Sequence, residues 1–334
     1  MEYVIGHYSY GAAGGQTNMG HMNQNRGDTM AGLAERLGQE MRESLAAYFV
    51  LPRLQEMAQA CLEEKLQESL LFGKMTVLHY RMFAGEDERI YRAAAAVELM
   101  VLSLDMIDDV QDKDNKSVVW NGYAPEITLN LALGMLMIAQ RLLLEGGFDP
   151  ERARQSARLL SMQVLTAVHG QTLDLLNEIP DEEAYLDMVS QKSAALLVCA
   201  CMIGTMLATG EWMEQVRGYA EQLGIAAQIK NDIRDLANWD NKNDFLNRKR
   251  TLPTLFLLQA VTDEDRWILD YFEGRLTMED VLHRRDELEA IMEKTGTMLY
   301  SSVRMRTHYY RFLDLLGELN LDVGWQEEML ALAE

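Results

Sequence analysis

Only five prolines punctuate the chain, at positions 52, 125, 150, 180 and 253. The stretches between them are long and rich in Ala, Leu, Met and Glu, all good helix formers. Alternating Val/Ile/Thr runs closed by Asn-Gly turns, the marks of strands and hairpins, are nearly absent. The sequence therefore predicts an all-α protein. At 334 residues and 48% hydrophobic, it is large enough for a substantial core. Residues 1–28 are rich in Gly, Asn, Met and Tyr without a hydrophobic period, and read as a flexible N-terminal extension. The periodic remainder, 29–334, reads as a single helical domain with no internal repeat.

Helices are expected over 30–48, from Pro52 to about Phe72-Gly73, over 74–84, 88–112, 125–144, 150–178, 182–209 and 212–237, and over most of 253–332. Proline opens several of them, where its missing N–H costs nothing. Glycine or a polar stretch closes several.

The chain carries a formal net charge of −21, which excludes ordinary phosphate-backbone binding to nucleic acid. Its three cysteines, Cys61, Cys199 and Cys201, lie in apolar helical contexts. They read as buried free thiols of a reducing compartment. No uninterrupted apolar run reaches the ~18 residues of a membrane span, and no secretory signal is evident at the N-terminus. These features point to the cytoplasm.

Against this background two acidic clusters stand out. Asp108-Asp109-Val110-Gln111-Asp112 ends one expected helix, and Asn231-Asp232-Ile233-Arg234-Asp235 lies near the end of another. In each, oxygen side chains recur four residues apart and so share a helix face. The ordinary reading of such a cluster is a solvated helix end. The first cluster opposes it, because three carboxylates directly follow an apolar run and sit at the unfavourable end of the helix dipole. Close carboxylates repel one another unless a cation joins them. Two such faces turned together suit Mg²⁺, which often takes carboxylate and phosphate oxygens at once. That arrangement suggests metal-assisted chemistry on a diphosphate.

Other candidates cluster around these. Gln228 precedes the second cluster on the same side. Lys192 opens an apolar helical body, so its stem can be buried while its ammonium enters a cavity. Arg248-Lys249-Arg250-Thr251-Leu252-Pro253 is the one dense basic run, either a solvated loop or a phosphate clamp. Gln171 and Asp174 lie on one face of the 150–178 helix. His169 is nearby but reads as structural.

Together these stretches resemble the trans-isoprenyl diphosphate synthase superfamily over about residues 60–260. Asp108-Asp109-x-x-Asp112 resembles its first aspartate-rich motif, and Gly170-Gln171-x-x-Asp174-Leu175 its glutamine helix. Tyr185…Lys192-Ser193-Ala194-x-Leu196 is similar to its Lys-Thr-x-x-Leu segment. Gln228-x-x-Asn231-Asp232-x-x-Asp235 resembles the second motif, and Asp244…Lys249-x-Thr251-x-Pro253 the loop after it. The resemblance implies a bundle of long helices around a deep apolar cavity, a Mg²⁺ cofactor, an allylic prenyl diphosphate substrate and a homodimer. It implies metal contacts from Asp108, Asp109, Asp112, Asn231, Asp232 and Asp235. Lys192, Lys249, Gln228, Lys116 and Arg250 are the implied diphosphate contacts. Asp108, Asp112, Lys192, Gln171 and Asp174 are the implied catalytic set.

The departures from the pattern are as specific. Chain-extending members hold a second substrate, isopentenyl diphosphate, through basic groups. Here Lys74 remains from the Gly-Gly-Lys-x-x-Arg motif, but Val77 replaces its Arg. Val101 stands where His or Gln is usual, and Ser117 and Val118 where an Arg pair is usual. Valines cannot hold an anion, so the second diphosphate site is expected to be largely lost. The cation would then be captured otherwise. The segment Phe72-Gly73-Lys74-x-Thr76-Val77-Leu78-His79-Tyr80 resembles the ComQ family, which prenylates a tryptophan of a pheromone precursor peptide in quorum sensing. A terpene synthase that captures the cation internally is the alternative, although its Asn-Asp-x-x-Ser-x-x-x-Glu pattern is broken by Asp235 and Trp239. A prenyl diphosphate synthase comes after that. A silent partner subunit would have no use for such repulsive clusters.

Overall fold

The computed structural model describes residues 30–112, 117–239 and 243–333, and every regular element among them is helical. The expected extension at 1–28 and the candidate Lys116 lie outside the described residues. The N-terminal half comprises α1 (Met30–Tyr48), α2 (Pro52–Lys65), α3 (Leu71–Met82), α4 (Ile90–Asp112), α5 (Pro125–Leu144) and α6 (Pro150–Leu176). Then come α7 (Glu182–Val189), a π turn at 190–194, α8 (Ala195–Thr209) and α9 (Glu214–Ala237). Shorter helices follow: α10 (Leu252–Ala260), α11 (Trp267–Phe272), α12 (Met278–Val281) and α13 (Arg285–Thr295). The chain closes with α14 (Thr297–Gly317) and α15 (Val323–Ala333).

Local chemistry sets many of these boundaries. Proline occupies the first turn of α2, α5 and α6, as expected. The Asp149 carboxylate accepts from the Glu151 and Arg152 amides to start α6, and Asp181 accepts from Ala184 to start α7. Two helices are apolar nearly all round, α4 over 93–103 and α8 over 197–207, and both are buried there. They form the centre of the bundle, with α3 packed on both of them, α5 on α4, and α6 and α9 on α8. The outer α14 lies along α9. All three cysteines are buried and unpaired, matching their apolar settings.

Two stretches differ from the sequence reading. The helix expected to run to Phe72-Gly73 stops at Lys65, and α3 begins after Leu70 in a left-handed conformation (φ 51°). Gly73 breaks nothing. It lies inside α3, where a Cβ would come within 2.9 Å of Glu98 Cγ and Leu37 Cδ1. Its glycine identity serves close packing, and its N–H donates to Glu98 Oε1 at 2.6 Å. Residues 253–332 divide into several helices, with left-handed Gly274 and Gly296 at two of the breaks. The helix expected over 182–209 keeps those ends as one rod carrying a π turn.

That rod and α5 each reach the length and hydropathy of a membrane span, where the sequence reading expected no such segment. The window in the rod is 72% buried inside the fold, as a core helix would be.

Candidate active site

The site gathers where the C-terminal ends of α4, α6 and α9 meet the π turn and the loop before α10. Asp108 and Asp112 come from the last turn of α4. Asp174 comes from α6, Lys192 from the π turn, and Lys249 from the loop. The Lys192 ammonium lies 2.6 Å from Asp174 Oδ2 and 3.4 Å from Asp108 Oδ1. Lys249 reaches Asp112 Oδ2 at 2.8 Å. Two cations thus sit among three carboxylates drawn from distant parts of the chain.

The electrostatics follow from this packing. Burial raises the Asp108 carboxyl above its usual range, with Lys192 opposing and Asp112 and Asp174 adding to the rise. Burial works against the Lys192 ammonium, but Asp174 and Asp108 overcome it and hold its pKa above the ordinary lysine value. Lys249 behaves alike: burial disfavours its charge, and Asp174, Asp112 and Asp244 more than restore it. Both lysines are therefore charged at neutral pH.

The second acidic cluster is built differently. Asp232 is 4% exposed. The Tyr185 hydroxyl donates to its Oδ2 at 2.5 Å and the Gln228 amide to its Oδ1 at 2.8 Å. Ser193 donates in turn to Gln228 Oε1 at 2.8 Å. Burial pushes the Asp232 carboxyl up to about 6, against those two hydrogen bonds. Asp244, also buried, is pushed well above the carboxylate range by burial and by Asp232. Its Oδ2 has no hydrogen-bond partner. Asp244 is a member of the site that the sequence placed only in a loop, and Tyr185 is another. The signal available was their position within the quoted motifs.

Other candidates fall in distinct places. Gln171 donates to Gln111 Oε1 at 3.1 Å, linking α6 to α4, and its own Oε1 is buried without a partner. Asp109 turns away from Asp112 and accepts from the Trp120 indole at 2.8 Å. Asp235 lies beside Arg234 at 3.1 Å. Gln228 is engaged by Asp232 and Ser193, so it positions the acid instead of facing outward. The expected basic clamp is realised only by Lys249. Arg248, left-handed at φ 52°, donates to the Leu276 carbonyl at 2.7 Å and lies over the Tyr271 ring. Arg250 donates to the Ile179 carbonyl at 3.3 Å and makes no ion pair among the described residues.

Two glycines set the π turn in place. A Cβ on Gly170 of α6 would lie 2.2 Å from the Lys192 backbone nitrogen, and one on Gly224 of α9 would lie 2.6 Å from Ala194 Cα. Only glycine permits backbones to approach so closely. Lys192 is thus fixed at the backbone, between two helices, on the kind of irregular turn often found at functional sites.

The donor set fits a hard divalent cation: all oxygen, carboxylate-rich, with an orphaned acceptor at Asp244 Oδ2. Among the described residues no three carboxylates converge closely enough to cage an ion by themselves. At the positions where a second anionic substrate would need bases, Val77 and Val101 are buried, 6% and 2% exposed.

The all-helical bundle brings carboxylates and lysines together where several helices end, a setting for metal-assisted chemistry on an anionic group. The polyprenyl synthetase family profile matches residues 69–288, and the chain belongs to that family. It is 28% identical over 299 residues to tryptophan prenyltransferase ComQ of Bacillus subtilis subsp. natto (strain BEST195), covering 88% of this chain and 90% of that one. A crystal structure of geranylgeranyl pyrophosphate synthase superposes with a TM-score of 0.80 at 21% identity, covering 92% and 98% of the two chains. The geranylgeranyl pyrophosphate synthase of Corynebacterium glutamicum, complexed with isoprenyl diphosphate and magnesium, gives 0.76 at 16% identity over 91% and 96%.

Proposed function

We propose that this chain is a Mg²⁺-dependent prenyltransferase that ionises an allylic prenyl diphosphate and transfers the prenyl group to a tryptophan of a precursor peptide. The observation that carries the reading is an asymmetry of charge. Lys192 and Lys249 stand among the carboxylates of one diphosphate site. The positions that would serve a second diphosphate hold Val77, Val101 and Val118. The likeness to ComQ supports a tryptophan acceptor.

Asp108, Asp112 and Asp235 would hold the Mg²⁺, which would supply Lewis-acid stabilisation of the charge on the departing diphosphate. The two ammonium groups neutralise the remaining oxygens, exchanging carboxylate partners for phosphate ones. Asp232, held by Tyr185 and Gln228, fixes the geometry from behind. The allylic C–O bond breaks with its electron pair leaving on the diphosphate. The indole then attacks the allylic carbon, and a proton is lost from the acceptor. Gln171, which links α6 to α4 through Gln111, adds a polar group beside these, with the cytoplasm as the setting.

A homodimer belongs to the same reading. Leu133 and Met137 on α5, and Met162, Leu165 and Val168 on α6, are exposed on two helices packed together, giving an apolar face for a second copy.

The test is a product assay. Geranyl, farnesyl and geranylgeranyl diphosphate are each supplied with Mg²⁺, with and without isopentenyl diphosphate, and with a tryptophan peptide. The expected result is a peptide heavier by one prenyl unit, and no longer diphosphate. A longer diphosphate that requires isopentenyl diphosphate makes the chain an ordinary synthase. A cyclic hydrocarbon or alcohol from the allylic substrate alone makes it a cyclase.

A further inference from the structure

One side chain ties the loop that carries Lys249 to the end of α9. Asn243 is fully buried although it is polar. Its amide nitrogen donates to the carbonyls of Asp235, Leu236 and Asn238, at 3.2, 2.9 and 2.8 Å. Asp235 and Leu236 lie in the last turn of α9, where carbonyls have no partner within the helix. The Asn243 amide oxygen accepts from the Leu246 N–H at 3.0 Å and so opens the turn that leads to Lys249. That turn closes where the Lys249 N–H donates to the Asp244 carbonyl at 2.9 Å, and the Thr254 hydroxyl donates to the Lys249 carbonyl at 2.6 Å. Behind the turn, Phe245 is enclosed by the rings of Trp239, Trp267, Tyr271 and Phe272.

We infer that Asn243 is a positioning residue: it sets Lys249 relative to Asp235, so that the loop and the end of α9 form one jaw of the diphosphate site. The inference deepens the proposed function and rests on its reading of Asp235 as a metal ligand and Lys249 as a diphosphate contact. The opposing jaw is α4, with Asp108 and Asp112. Residues 243–251 belong to no regular helix, so their place depends on ties of this kind. The residue type follows from the task. Only a side chain with both donor and acceptor can cap a helix end and open a turn at once. A lysine would meet the carbonyls and leave the Leu246 N–H unanswered. An aspartate would accept from Leu246 and repel the three carbonyls. The neutral amide also adds no charge beside Asp232, Asp235 and Asp244, which already repel one another. Asn243 thus acts on the site through two stretches of backbone.

The experiment measures binding of inorganic pyrophosphate to the full chain in saturating Mg²⁺ by calorimetry, with the melting temperature of each protein alongside. Asn243→Ser keeps a short acceptor and loses the reach to α9. It is expected to weaken pyrophosphate binding at least about tenfold. Asn243→Asp, of the same shape, is the second variant, and should weaken binding as much at high salt as at low, which separates lost bonds from added charge. Phe312→Leu loosens the core where Phe312 meets Tyr219, away from the loop, and should lower the melting temperature without moving the affinity. Lys249→Ala should cost at least about tenfold in the unmodified chain but less than about threefold on top of Asn243→Ser, where the lysine is already misplaced. Unchanged binding by the folded Asn243 variants overturns the inference, as do additive losses in the double variant or an equal loss in Phe312→Leu. Absence of Mg²⁺-dependent pyrophosphate binding by the unmodified chain removes the diphosphate reading itself, and the positioning role with it.

Discussion

The two acidic clusters share a spacing and little else. On α4, Asp108 and Asp112 face ammonium groups on long, flexible stems, Lys192 and Lys249. On α9, Asp232 is sealed from water and held by neutral donors, the Tyr185 hydroxyl and the Gln228 amide. A lysine can trade a carboxylate for a phosphate with a small torsional change. A buried tyrosine in a packed core cannot move so freely. The same residue pattern therefore provides an exchangeable ligand surface on one helix and a rigid support on the other.

The sharpest way to break this comparison is Asp112→Ala. Turnover should fall by roughly a thousandfold or more, the scale of losing a charge-stabilising group at a transition state. The melting temperature should fall modestly, because Lys249 loses the carboxylate it reaches at 2.8 Å. Retained turnover would remove the metal assignment from α4.

Tyr185→Phe tests the other helix. It leaves a buried carboxylate short of a donor, which costs roughly 1–3 kcal/mol of stability. Denaturant unfolding should show a lowered midpoint at neutral pH, with a smaller change in activity than Asp112→Ala gives. An unchanged midpoint would mean that Asp232 is not supported in this way.

The smallest effect concerns Glu98, buried on α4 and bonded to the Gly73 amide. Burial pushes its carboxyl up to about 7, against the attraction of Lys65. In the unfolded chain it ionises near 4.5. Between those values the folded protein keeps a proton that the unfolded chain has lost. Its contribution is thus neutral below about 4.5 and increasingly destabilising up to 7, by at most about 3 kcal/mol. Glu98→Gln should flatten the fall in melting temperature between pH 5 and 7.5. Parallel curves for the two proteins would show that Glu98 does not titrate there.

Much of this was legible in the sequence, and the limits have physical causes. Repulsive carboxylates after an apolar run, and a lysine opening one, were visible because they contradict ordinary helix chemistry. Proline placed the starts of α2, α5 and α6. Arg248 and Arg250 were not legible, because the left-handed backbone at Arg248 turns the basic run so that only Lys249 faces the acids. Nothing in the composition of 67–73 announces that Leu70 is left-handed or that Gly73 serves a neighbouring helix. Asp244 and Tyr185 take their roles from contacts across long stretches of chain, which spacing cannot show.

The π turn at 190–194 has one more consequence. The additional residue makes α7 and α8 one rod with two phases, offset by about 100°. Deleting a single residue there would restore an unbroken helical ladder, a gain in regularity. Tyr185 and Lys192 could then no longer be aligned at once, one with Asp232 and the other with Asp174. The rod keeps an imperfection because two clocks, one on each side of it, have to read the same time.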